Sequence, residues 1–195
     1  MFNDSEHIVA IFAIGPYGII GLDNKLPWHS DKDFYFFKKA TVNHPCIFGA
    51  TTFYNLPHYP LCSRGNIVCS RKFPKFQPMP TDNGTKYIKT NSIENAIKIS
   101  RITYPYKTTF VCGGGSIYKY VIDKEITDVL YVSEIYSDAL AADVRHNPDK
   151  YTYFPTDFRR DYVLSDVLNV NGANWPSEHN DIYVKISRWI RKKSR

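Results

Sequence analysis

Short apolar runs of β type alternate with amphipathic helical patterns along this chain, and that alternation restricts its possible folds more than any other feature. The runs are 7–14, 45–48, 66–69, 86–89, 108–112, 129–135, 162–168 and 182–186, rich in β-branched and aromatic residues. Between them, 31–42, 51–56, 92–101 and 116–122 carry apolar residues three and four apart, as in Ile93, Ala96 and Ile97, which line one face of a helix. The alternation predicts an α/β domain with a mostly parallel central sheet of about eight strands flanked by helices. The last two runs are joined by a turn-rich stretch, 169–180, with no helical pattern, which predicts a closing antiparallel hairpin. Domains of this class bind ligands at the carboxyl ends of their strands.

A length of 195 residues fits one domain, large enough to bury a core without a disulfide or metal staple. With 43% hydrophobic and 23% charged residues, the chain is too apolar for extended disorder and lacks the bias of collagen or coiled coils. The longest apolar stretch, Ile8 to Ile14, ends at Gly15-Pro16, far short of the ~20 residues a membrane span needs. Asp4 and Glu6 stand where a secretory leader would be basic, so a cytoplasmic protein without a membrane partner is expected. Cys46, Cys62, Cys69 and Cys112 are widely spaced and mostly set in apolar runs, as reduced thiols rather than metal ligands. The net charge of +6 is compatible with polyanionic partners but selects none. Part of it lies in the tail from Arg188 to Arg195, which reads as a solvated basic end.

Three segments could carry chemistry. Gly113-Gly114-Gly115 follows the apolar run Phe110-Val111-Cys112 and opens the pattern Ser116-Ile117-Tyr118. Glycines between a strand and a helix let backbone N–H groups approach a diphosphate, with the helix dipole in support. Tyr118 stands where the usual Rossmann fingerprint has glycine, so a glycine-rich structural turn remains an equal reading. Gly18 to Trp28 is a glycine-bounded segment that could close over a ligand or simply plug Trp28 into the core. Asp33 stands three residues after Ser30, the spacing of a capping box. It also shares a helix face with Phe37, where a partly desolvated carboxylate could grip the amidine edge of a heterocycle. The residues themselves leave both roles open.

Taken in order, these segments resemble the dihydrofolate reductase family. Ile20-Gly21 and Leu26-Pro27-Trp28 match its loop signature, Asp33 its acidic residue, and Phe37-Lys38-Lys39-Ala40-Thr41 its Phe-Lys-x-x-Thr run. Pro45 to Phe53 resembles its second strand and cofactor helix, Arg64 to Arg71 the strand that follows, and Val111 to Tyr118 its glycine motif. The matches run from about Ile8 to Ile135, with a looser continuation through Phe154-Pro155 to the final hairpin. Relative to compact members, the extra residues of 136–153 read as an enlarged loop within a single domain.

The resemblance implies hydride transfer from NADPH to C6 of 7,8-dihydrofolate with protonation of N5, giving tetrahydrofolate for one-carbon and thymidylate metabolism. Asp33 would hold the pterin's 2-amino group and N3, with Ser133 in its hydrogen-bond network and Trp28 closing the site. Because Asp33 would lie too far from N5 to donate directly, it would orient the ring and favour protonation by water. Ile11 and Cys112 would offer backbone carbonyls; Phe12, Phe37, Leu56 and Leu61 would line the folate site; and Arg64 would pair with the α-carboxylate of the glutamate tail. On the cofactor side, Ala13 would meet the carboxamide, Ile20 and Gly21 would belong to the covering loop, and Thr51 and Thr52 with Gly113, Gly114, Gly115, Ser116, Ile117 and Tyr118 would surround the diphosphate. Ser70 and Arg71 would meet the 2′-phosphate. Ala50, Thr51 and Asn91 stand where relatives commonly place basic residues, so a weakened preference for NADPH over NADH is expected.

The partners implied are dihydrofolate and NADPH, with no metal, no nucleic acid and a monomeric state. Two rival readings are a fold relative reducing a pyrimidine of riboflavin synthesis and a reductase-like domain retained as a binding or assembly component. The first would not be expected to combine Pro27-Trp28 with Asp33 and Arg64. The second is disfavoured by the complete set of substrate-side residues.

Overall fold

The computed structural model describes residues 7–79, 86–178 and 181–192; Asp4, Glu6 and the tail beyond 192 lie outside them. The strands are β1 (Ile8–Ile14), β2 (Ile19–Leu22), β3 (Pro45–Gly49), β4 (Gly65–Cys69), β5 (Gln77–Met79), β6 (Tyr87–Thr90), β7 (Thr109–Val111), β8 (Val129–Tyr136), β9 (Tyr151–Tyr153), β10 (Tyr162–Leu168) and β11 (Tyr183–Arg191). The helices are α1 (Asp31–Thr41), α2 (Ala50–Tyr54), α3 (Ile93–Thr103), α4 (Gly115–Asp123) and α5 (Asp138–His146). Ile93 and Ala96 of α3 turn inward, as their spacing predicts, and Ser92 caps the helix by accepting from the Asn95 N–H at 3.2 Å. No helix among the described residues is long and apolar enough to cross a membrane.

Hydrogen-bonded ladders give a nine-stranded sheet in the order β10-β11-β8-β1-β7-β3-β4-β6-β5. Pairs β1–β7, β3–β7, β3–β4 and β4–β6 are parallel, which makes this a mixed α/β fold with mostly parallel strands. All five residues of β4 are buried, as parallel strands covered on both faces require. The ninth strand, β5, adds to β6 antiparallel; three residues containing Pro78 are too short to show a period in sequence.

The predicted hairpin is present as β10 and β11, paired antiparallel. Strand β11 extends well past the expected 182–186, so the basic tail begins inside the sheet rather than in solvent. The Arg188 guanidinium donates to Ser165 Oγ at 2.9 Å and lies 3.6 Å from Asp166, and Arg191 donates to Tyr162 Oη at 2.7 Å. Charged side chains on a half-exposed strand hid its alternation.

The 136–153 stretch is likewise more ordered than an enlarged loop. Ser137 caps α5 by accepting from the Leu140 N–H at 3.3 Å, Val144 is buried, and β9 pairs antiparallel with β2. Its alanines and scattered charges give a weak apolar stripe, so the helical period is faint in sequence.

Two compact units are interleaved along the chain. Among the described residues, one comprises 11–40 with those from 129 onward, the other 7–10 with those of 41–128. Neither is a contiguous segment, in keeping with the absence of a linker in the sequence.

Candidate active site

In the first unit, the chemistry centres on the start of α1. The Ser30 hydroxyl accepts from the Asp33 N–H at 3.1 Å, so Ser30 does cap the helix. The Asp33 carboxyl turns instead to Ser133 of β8, with which it hydrogen-bonds. Both are almost wholly withdrawn from water, at 8% and 1% exposure. Burial pushes the Asp33 carboxyl up from 3.8 to about 6; the Ser133 hydroxyl opposes this and the Glu178 charge adds to it. A carboxyl held near neutrality, with one hydroxyl partner, can exchange between acceptor and donor at physiological pH.

Glu178 was not found from sequence. Its Oε1 accepts from Ser30 Oγ at 2.6 Å and from the Lys32 N–H at 2.9 Å, taking a first-turn amide that the helix leaves unpaired. A single glutamate in a turn-rich loop, 148 residues from Ser30, gives no local signal. Trp28 is buried, and its Nε1 has no hydrogen-bond partner, a state that points to water or a ligand as acceptor. Phe37, four residues after Asp33, stays partly exposed while Phe36 is fully buried and packs on Tyr131. The Phe12 ring packs on Phe154 and Phe158, with centroids 4.2 and 5.5 Å away. This packs its ring against two aromatic neighbours, and its side chain is buried. Ile11 and Ala13 project to the opposite face of β1.

In the second unit, the glycine run turns from β7 into α4. Gly113 has φ +99, and a Cβ there would meet Tyr118 Oη at 2.8 Å; a Cβ on Gly114 would meet Thr52 Oγ1 at 2.8 Å. The Gly49 N–H donates to the Gly113 carbonyl at 2.6 Å, fixing the turn against β3. No side chain caps α4 at Gly114, so the first amides of this helix remain as donors for an anion. Bare backbone beside Thr52 and Tyr118 therefore fits a diphosphate. Ser70 follows β4, and Arg71 is exposed beside it. Asn91 Oδ1 accepts from Asn95 Nδ2 at 2.8 Å, and the Lys89 ammonium lies over the Phe73 ring, which leaves Arg71 and Lys72 as the freest basic groups near Ser70.

Arg64 is braced within the same unit, donating to the Cys62 carbonyl at 2.7 Å and to Thr41 Oγ1 at 3.3 Å. Leu56 and Leu61 are half-buried. Cys112 is buried, and burial together with neighbouring Cys46 pushes its thiol well above the ordinary range. It is an inert thiol.

A family model for dihydrofolate reductase matches residues 7–165. The chain belongs to the dihydrofolate reductase family. It is 32% identical over 148 residues to the dihydrofolate reductase of Buchnera aphidicola subsp. Schizaphis graminum, covering 76% of this chain and 78% of that protein. The dihydrofolate reductase of Mycoplasma pneumoniae is 29% identical over 144 residues, 74% of this chain and 81% of its own. A solved dihydrofolate reductase from Enterococcus faecalis, complexed with NADP(H) and RAB-propyl, shares the fold with a TM-score of 0.69 and 24% identity, over 96% of this chain and 97% of that one. As a member of this family, the chain is an oxidoreductase that reduces dihydrofolate.

Proposed function

We propose that the chain reduces 7,8-dihydrofolate to 5,6,7,8-tetrahydrofolate, with hydride delivered to C6 and a proton to N5, for one-carbon and thymidylate metabolism. The observation that carries this reading is the buried Asp33 carboxyl, paired with Ser133 and raised to about 6. An ionisable acid kept out of water costs stability, and its use is at a reacting centre. Asp33 accepts from the pterin's 2-amino group and N3 through paired hydrogen bonds, holding the ring in one orientation. Its negative field favours the cationic form at N5, where water supplies the proton. Trp28 and the Gly18–Trp28 segment limit solvent access, so the field acts at low dielectric.

Ile11 and Cys112 present backbone carbonyls, Phe37, Leu56 and Leu61 pack on the folate, and Arg64 forms parallel bonds to the α-carboxylate. The Gly113–Tyr118 turn and Thr52 hold the diphosphate of NADPH, Ala13 its carboxamide, Ile20 and Gly21 cover it, and Ser70 and Arg71 hold its 2′-phosphate. NADPH supplies the hydride when bound. The chain acts as a cytoplasmic monomer in this reading.

The test is loss of NADPH absorbance on adding dihydrofolate, run beside NADH and beside Asp33→Asn. Oxidation that needs both substrates and Asp33 is expected. A folded chain that binds NADPH yet leaves it unoxidised would overturn the proposal and favour a retained binding component.

A further inference from the structure

The loop between β10 and β11 reads in sequence as a plain connection, yet it rests on α1 at three successive places. The Lys32 ammonium donates to Asn171 Oδ1 at 3.2 Å. The Tyr35 and Trp175 rings meet edge to face with centroids 5.2 Å apart. Glu178 then receives the Ser30 hydroxyl and the Lys32 amide. Since Ser30 in turn accepts from the Asp33 N–H, a continuous hydrogen-bonded path runs from Glu178 through Ser30 to the backbone of the acid. A carboxylate at a helix N-terminus is also favoured by the macrodipole.

We propose that Glu178 is a positioning residue for the reaction: through Ser30 it fixes the first turn of α1, and its charge governs how readily Asp33 gives up its proton. The inference rests on the proposed role of Asp33. The groups facing Asp33 are Ser133 from β8 and Glu178 from the loop; on its own helix, Asp31 pairs with His29 at 3.1 Å and the Lys32 ammonium is turned to Asn171. Glu178 is therefore the negative charge that holds Asp33 protonated to higher pH, adding to the effect of burial. Electrostatic support of this kind would let the loop tune the acid without touching substrate.

The experiment compares wild type, Glu178→Gln and Glu178→Ala in the full chain. Gln keeps an acceptor oxygen for Ser30 and Lys32 while losing the charge; Ala loses both. The Asp33 carboxyl is titrated by 13C chemical shift in the cofactor-free protein, and kcat and KM for dihydrofolate are followed against pH. In Glu178→Gln the Asp33 midpoint and the breakpoint in kcat move to lower pH by about 0.5–1 unit, with NADPH affinity kept. In Glu178→Ala, KM for dihydrofolate rises in addition, because the first turn loses its brace. An Asp33 titration that superimposes on wild type in Glu178→Gln overturns the inference, whatever the turnover. A shifted titration in a chain that never reduces dihydrofolate upholds the coupling of Glu178 to Asp33 and overturns its role in the reaction along with the proposed function.

Discussion

In the unit that carries Asp33, chemistry is built from side chains withdrawn from water; in the unit that carries Gly113, it is built from backbone from which side chains are missing. The first is electrostatically expensive. Asp33 is 8% exposed and Ser133 1%, so the carboxyl resists ionisation and responds to one hydroxyl and one distant carboxylate. The second is sterically exacting, since Gly113 and Gly114 are hemmed in by Tyr118 and Thr52. A proton is managed by tuning a side chain's environment, whereas a diphosphate is held by N–H groups that must come close. Substitutions should therefore fail differently in the two regions: charge changes at the acid, volume changes at the glycines.

The largest effect is expected for Asp33→Asn. Turnover should fall by roughly 10²–10³-fold, the range for loss of one preorganised electrostatic group, while NADPH binding by fluorescence titration stays intact. Folding raises Asp33 from 3.8 to about 6, so the native chain holds this proton more tightly than the unfolded one. Stability should therefore decline as pH rises from about 4 to about 6 and level off above. Near pH 7 the same Asn variant should be more stable than wild type by about 3 kcal/mol, read by urea unfolding. A variant that is inactive and also less stable would break the contrast, by showing that Asp33 is a structural cap.

Next comes Gly113→Ala. A side chain at φ +99 is strained and would meet the Tyr118 hydroxyl, so the melting midpoint should fall by an amount worth about 1–3 kcal/mol. NADPH affinity should drop with it while the Asp33 titration is unchanged. Arg64→Ala should raise KM for dihydrofolate by about tenfold to a hundredfold through loss of charge-assisted bonds, with kcat nearly kept. The smallest change is expected for Arg71→Ala, which should cut the preference for NADPH over NADH by about tenfold, measured as the ratio of kcat/KM values. A larger loss there would mean that Arg71 alone carries the 2′-phosphate.

The motifs of both regions were legible in sequence, because each is local. Gly113 to Tyr118 lie side by side in the chain, and Asp33 and Phe37 are one helical turn apart. Two roles for Asp33 stood open, and the structure answered by separating them: Ser30 supplies the cap while the Asp33 carboxyl meets Ser133. Alternation tells which residues share a face of β1, whereas only the structure shows that the Phe12 ring packs on Phe154. Helix α5 and the full length of β11 were obscured by charged residues that weaken the apolar period without preventing the element from forming.

Strand and helix order and the glycine turn follow from the sequence by itself, since they depend on spacings of one to four residues and on backbone freedom at particular positions, and resemblance to the family singled out Asp33. Tertiary structure alone decided the environment of that acid. Its burial, its bond to Ser133 and its link to Glu178 join segments separated by 100 residues or more. A carboxyl's proton affinity is set by whatever folds around it in space, and chain distance carries no record of that.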